Sequence, residues 1–140
     1  MTYSKEIARE IIYDHLENPR HREKKAYPNT TMKNPACGDI ITLYLLIEND
    51  IIKDIGYQIE GCSISLASAS MMSELVKNKS TTESKVIANN FSQMLLDEKY
   101  DAEKLEEAAA LIGIKDTPAR IKCATLPYQA LLTMIGDENE

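Results

Sequence analysis

The stretch from Ile40 to Ile59 decides the fold: it runs IITLYLLIE over residues 40–48, Asn49-Asp50, then IIKDIGYQI over residues 51–59. The first run is apolar and β-branched, the second partly alternates, and the Asn-Asp link is turn chemistry. Two strands joined by so short a link pair antiparallel, so a β-hairpin is expected here.

Working outward, Asn34-Pro35-Ala36-Cys37-Gly38-Asp39 leads into the hairpin, and the polar stretch before it has room for a short edge strand. Upstream, Ile7, Ala8, Ile11, Ile12, His15 and Leu16 recur at helical spacing between Ser4 and Glu17. Asn18-Pro19 ends that helix, because a residue before proline is pushed out of the α region. Downstream, Gly61-Cys62-Ser63 opens a helix to about Lys77 with Leu66, Ala69, Met72 and Val76 as one stripe. Ser80 with Glu83 forms a capping box for the next helix, which turns Ile87, Phe91, Met94 and Leu95 inward. Asp101 caps a third helix ending at Gly113. A last helix carries Leu126, Ala130, Leu131 and Met134, with Pro127 in its first turn or bending it. A helix, then strands, then helices predicts an α+β fold: a small three-stranded antiparallel sheet with helices packed on one face. The 140 residues, without repeat or linker, read as a single domain over 1–140.

Composition narrows the function. Twenty-two acidic against 16 basic residues leave a net charge of −6, which argues against a nucleic-acid partner. Arg20, Arg22, Lys24 and Lys25 do cluster, but read as a solvated loop, with His21 solvated among them. His15 reads as a helix-end or core histidine. No apolar run is long enough to span a membrane and the N-terminal residues lack a secretory apolar region, so a cytoplasmic protein is expected. No nucleotide-cradling glycine motif occurs.

The three cysteines, Cys37, Cys62 and Cys123, are an odd number, which in a reducing compartment points to metal or thiol chemistry rather than disulfides. Cys37 lies in a Pro/Gly-bracketed loop before a strand, Cys62 at a helix start, and Cys123 after Lys122 near the start of the last helix. Helix N-termini and nearby cations favour thiolate over thiol, the form that binds metal and attacks sulfur. Three thiolates and the Asp39 carboxylate would complete a tetrahedral zinc shell. Spacing alone leaves open two other readings: buried cysteines serving as small hydrophobes, and a closed structural zinc site.

The segments Asn34–Asp39, Gly61–Met72 and Pro118–Leu126, together with His15–Arg20, resemble the IscU/NifU N-terminal family over essentially the whole chain. Three departures from its scaffold members resemble the SufU branch instead: Lys122 where scaffolds have histidine, Pro118-Ala119-Arg120-Ile121-Lys122 in place of Pro-Pro-Val-Lys, and extra helical sequence around 101–113. That resemblance implies zinc on Cys37, Asp39, Cys62 and Cys123, with Cys37 as persulfide acceptor and Arg120 taking part in the exchange. It also implies a zinc-dependent sulfurtransferase that takes sulfur from a SufS-type cysteine desulfurase and supplies downstream Suf scaffold proteins for iron–sulfur cluster assembly. The rival expectation is a scaffold on which an iron–sulfur cluster is built by the same residues.

Overall fold

The structure is a computed structural model that describes residues 3–35 and 38–136. Cys37, the expected persulfide acceptor, lies outside the described residues.

The hairpin forms as the sequence requires. Strands β2 (Asp39–Glu48) and β3 (Ile51–Glu60) pair antiparallel around Asn49 and Asp50, whose φ angles are 53° and 62°. Asn and Asp are the non-glycine residues that best tolerate that left-handed turn. Strand β1 (Asn29–Asn34) pairs with β2 and completes the three-stranded sheet in the order β1-β2-β3. Period-2 alternation puts Ile41, Leu43 and Leu45 on one face, opposite Ile59, Tyr57 and Ile55, all buried.

Helices cover that face. Helix α4 (Pro118–Ile135) packs on β1 and β2, while α2 (Ser63–Val76) packs on β3. Helices α1 (Lys5–Glu17) and α3 (Thr81–Leu95) build outward from α2 and α4. The Ser80–Glu83 capping box is made in full, and Ile87, Phe91, Met94 and Leu95 are buried as expected. Phe91 stacks on Tyr128 at 4.2 Å between centroids, which fixes α3 against α4.

Three local expectations are corrected. Helix α2 does not bury one stripe: Ser65, Ala67, Ser68, Ala69, Ser70, Met71, Met72 and Ser73 are all buried, so it is a central helix. Its serines suit that position because their hydroxyls find backbone partners, such as Ser68 donating to the Ala124 carbonyl and Ser73 to the Ser70 carbonyl. The segment after Asp101 is 3₁₀ (Ala102–Lys104 and Glu106–Asp116) rather than α. Glu106 at φ 47° interrupts any α continuation, and the consecutive buried residues Ala108, Ala109, Ala110 and Leu111 lack an α-helical stripe. Helix α4 starts at Pro118, so Pro127 sits in its interior and Cys123 in its second turn. Pro127 lacks the N–H that would have bonded the carbonyl four residues back, that of Cys123.

The segment 18–28 is bonded down rather than free. His21, expected to be solvated, bonds Glu74 of α2 at 2.7 Å, and its carbonyl accepts from the Tyr57 N–H at the sheet edge. Lys25 approaches the Asp54 carboxylate at 3.3 Å, and the Tyr27 hydroxyl donates to it at 2.7 Å. The Tyr27 hydrogen bond comes first among the causes that hold the Asp54 carboxyl down at about 2. A folded pKa below the unfolded value favours the ionised form, so the stabilisation is complete above about pH 4 and disappears as pH falls through about 2. Asp54→Asn should therefore cost on the order of 1 kcal/mol at neutral pH, solvent screening included, and markedly less near pH 2, as urea midpoints at the two pH values would read.

Candidate metal centre

Three of the four expected ligands come together at one end of the sheet. Asp39 is the first residue of β2, Cys62 is the N-cap of α2, and Cys123 lies on the second turn of α4. One ligand atom from each, the carboxylate oxygen and the two sulfurs, lies within 4.8 Å of the others. Asp39 and Cys123 are buried, at 2% and 0% exposure, while Cys62 is half-buried and gives the site its face to solvent.

Local chemistry explains the placement. Asn34 pairs with Asp39 across the short link 35–38, and the Gly38 amide donates to the Asn34 carbonyl at 2.7 Å. Gly38 adopts φ +79°, a conformation that favours glycine. Cys62 has no side-chain capping bond of its own; instead its backbone N–H donates to Asp39 Oδ1 at 3.1 Å. A carboxylate at a helix N-terminus is favoured by the helix dipole. Asp39 Oδ2 faces Cys62 Sγ at 3.6 Å, and Ser65, which bonds the Cys62 carbonyl, brings its hydroxyl within 3.8 Å of that sulfur.

Three acidic donors buried this close repel one another once ionised, and burial makes their charges costly. Arg120, exposed on the first turn of α4, places its guanidinium against both sulfurs, and Cys62 comes first among the causes that raise its pKa further. One guanidinium offsets one of three negative charges, and a divalent cation balances the remaining two. The donor spacing also suits zinc, since bonds of about 2.3 Å to two tetrahedral sulfurs put those sulfurs about 3.8 Å apart. The residues present therefore fit a zinc ion.

The expected residues divide clearly. Asp39, Cys62 and Cys123 converge, Arg120 stands beside them, and Cys37 lies outside the described residues. His15 is no ligand of this group: it is buried, with Nδ1 on the Ser70 hydroxyl and Nε2 on Glu107, each at 2.7 Å. Sequence reasoning missed Gly61. A Cβ there would stand 2.6 Å from Asp39 Cγ and 2.9 Å from the Ser65 hydroxyl, so the carboxylate reaches the α2 terminus only past a hydrogen. A glycine directly before an N-cap cysteine was the available signal.

Residues 7–124 match the family model described as the NifU-like N-terminal domain. The chain is 42% identical to the zinc-dependent sulfurtransferase SufU of Bacillus subtilis, over 94% of this chain and 91% of that one. It is 39% identical to the iron–sulfur cluster assembly scaffold protein IscU of Streptococcus pyogenes serotype M1, over 86% of this chain and 77% of the relative. A crystal structure from Fervidobacterium islandicum AW-1, described as a candidate iron–sulfur cluster assembly scaffold for the SUF system, superposes with a TM-score of 0.85 at 31% identity over 94% of each chain.

The crowding at Gly61 is directly testable. Gly61→Ala should destabilise the fold by about 1–3 kcal/mol, since the buried carboxylate must give way. Gly113→Ala, where a Cβ meets nothing within 4 Å, should stay within about 0.5 kcal/mol of wild type in the same urea titration.

Proposed function

The chain belongs to the family of NifU-like N-terminal domains, and from that premise we propose that it is a zinc-dependent sulfurtransferase for iron–sulfur cluster assembly. The reading is that of a single domain acting in the cytoplasm, receiving persulfide sulfur from a cysteine desulfurase of SufS type and supplying downstream Suf scaffold proteins. The observation that carries it is the meeting of Asp39, Cys62 and Cys123 within 4.8 Å, with the Arg120 guanidinium set against the sulfurs. Asp39, Cys62 and Cys123 would hold zinc with Cys37 as fourth ligand. Bound there, zinc keeps thiols ionised at neutral pH and shielded from stray oxidants.

The remaining chemistry belongs to the chain. Cys37 is the persulfide acceptor: its thiolate attacks the outer sulfur of the donor's persulfide, and the donor's S–S bond breaks as the new one forms. The donor cysteine leaves with the electron pair as a thiolate, and the transferred sulfur stays on Cys37 as its persulfide. Cys62 and Cys123, held at the start of α2 and on α4, keep their places while Cys37 takes the sulfur. Arg120 is always charged and faces the sulfurs from the exposed side, so it steadies whichever sulfur carries the negative charge during exchange.

The scaffold reading has support from relatives named as scaffolds. Against it, the donor group among the described residues contains no histidine, and Lys122 offers no neutral ring nitrogen beside Cys123.

After incubation with a cysteine desulfurase and cysteine, the wild-type chain should gain the mass of one sulfur, mapped by peptide mass spectrometry to Cys37. Cys37→Ser should stay folded yet lose all stimulation of the desulfurase. A persulfide on Cys123 instead would overturn the assignment of roles, and a stable cluster without any persulfide would favour the scaffold. Arg120→Ala should slow transfer by about tenfold or more while leaving bound zinc unchanged, which metal analysis of the same samples would check.

A further inference from the structure

Beside the metal centre, a cleft of about 250 Å³ opens between the end of β1 and the outer side of α4. Its walls include Lys33, Asn34 and Pro35 from one side and Lys122, Leu126 and Gln129 from the other. Both sides continue directly into the site: Pro35 begins the link that ends at Asp39, and Lys122 precedes Cys123.

The charge of this cleft is unusual for the molecule. The chain carries a net charge of −6, and each of four other surface clefts has at least one glutamate in its wall. This one has two lysines and no carboxylate among the described residues. Lys33 and Lys122 are both exposed, and neither forms an ion pair among the described residues. With Arg120 facing the sulfurs, three cations therefore gather at the site end of an acidic protein. Gln129 and the Leu126 side chain add a hydrogen-bonding group and an apolar wall.

We propose that this cleft takes an acidic side chain of the protein that delivers sulfur, and so holds the delivering segment beside the Cys37 link. The inference rests on the sulfurtransferase reading above. Size selects the occupant: about 250 Å³ admits one carboxylate side chain but falls below the roughly 300–1,000 Å³ of pockets that enclose a small-molecule ligand. Access selects a protein over a free donor. Asp39 and Cys123 are buried and Cys62 is half-buried, so sulfur has to arrive on something that reaches in and is held while it does. An acidic partner is repelled by the chain as a whole and attracted only at this end, which orients its approach.

The test compares the zinc-loaded wild type with a Lys33→Glu/Lys122→Glu double variant and a Lys33→Arg/Lys122→Arg double variant. Two quantities are read: the affinity for a cysteine desulfurase, and sulfur transfer at saturating chain. Both lysines are exposed, so the variants should fold and retain zinc, as metal analysis would verify. At low ionic strength, charge reversal should weaken binding on the order of tenfold while transfer at saturation stays within about twofold of wild type. Wild-type affinity should fall as salt is added, the Glu variant should lose that dependence, and the Arg variant should keep it. Equal affinity and equal salt dependence in wild type and Glu variant would overturn the proposal while leaving the sulfurtransferase reading intact. A wild type that binds but gains no sulfur would overturn the reading and the proposal with it. Free cysteine persulfide as donor supplies the last arm: transfer from it should be unaffected by charge reversal, and an equal slowing would assign the cleft to the small molecule's carboxylate instead.

Discussion

The hydrogen bond from the Cys62 N–H to the Asp39 carboxylate ties the start of β2 to the start of α2, and the organisation of the site depends on it. It joins the strand that centres the sheet to the helix that centres the layer above. It also places a carboxylate oxygen and a sulfur 3.6 Å apart, a spacing that calls for a cation once both are ionised. The absence of a side chain at Gly61 makes the approach possible, and the pairing of β1 with β2 fixes Asp39 from the other side. Cys123 completes the group from α4, whose packing on β1 and β2 sets how near its second turn comes to the strand ends. The site is thus a meeting of three element ends held by the core beneath them.

Charge explains why such a group keeps one face, at Cys62, open to solvent. Its donors are acidic and need cationic company, supplied on the protein side by Arg120. The protein is acidic overall, yet Arg120 faces the sulfurs, and Lys33 and Lys122 line an adjoining cleft with no carboxylate among the described residues. Elsewhere acidic groups are absorbed into local ties, as Asp54 is by Tyr27, Lys25 and Lys77, and Glu74 by His21. These ties hold the 18–28 segment against β3 and α2.

Much of this was legible in the sequence, for identifiable reasons. The hairpin was readable because Asn49-Asp50 can adopt the left-handed turn that its strands require. The α3 capping box was readable because Ser80 and Glu83 satisfy each other locally. What escaped were features set by tertiary packing. Leu66, Ala69, Met72 and Val76 give α2 one apolar stripe, whereas the structure also buries its serines and pairs hydroxyls such as those of Ser68 and Ser73 with carbonyls. The alanine-rich stretch after Leu105 was read as α because its composition suits a helix, yet it winds as 3₁₀ with four consecutive residues buried. Of the site, Cys62, Cys123 and Asp39 were legible as metal candidates from their number and local setting, but their spacing has no compact metal signature, and the choice among readings and the role of Arg120 came through resemblance to a family. The Lys33–Lys122 cleft depends on which elements meet in space, and no local pattern states that; for Gly61 the one local signal was its place directly before an N-cap cysteine.

The central claim is that Asp39, Cys62 and Cys123 share one metal with a fourth ligand drawn from Cys37. X-ray absorption on protein purified without oxygen tests this most directly, because edge energy identifies the metal and extended fine structure counts its neighbours. The account predicts zinc with three sulfurs at about 2.3 Å and one oxygen at about 2.0 Å. Iron with short iron–iron distances, or a zinc shell containing nitrogen, would contradict it.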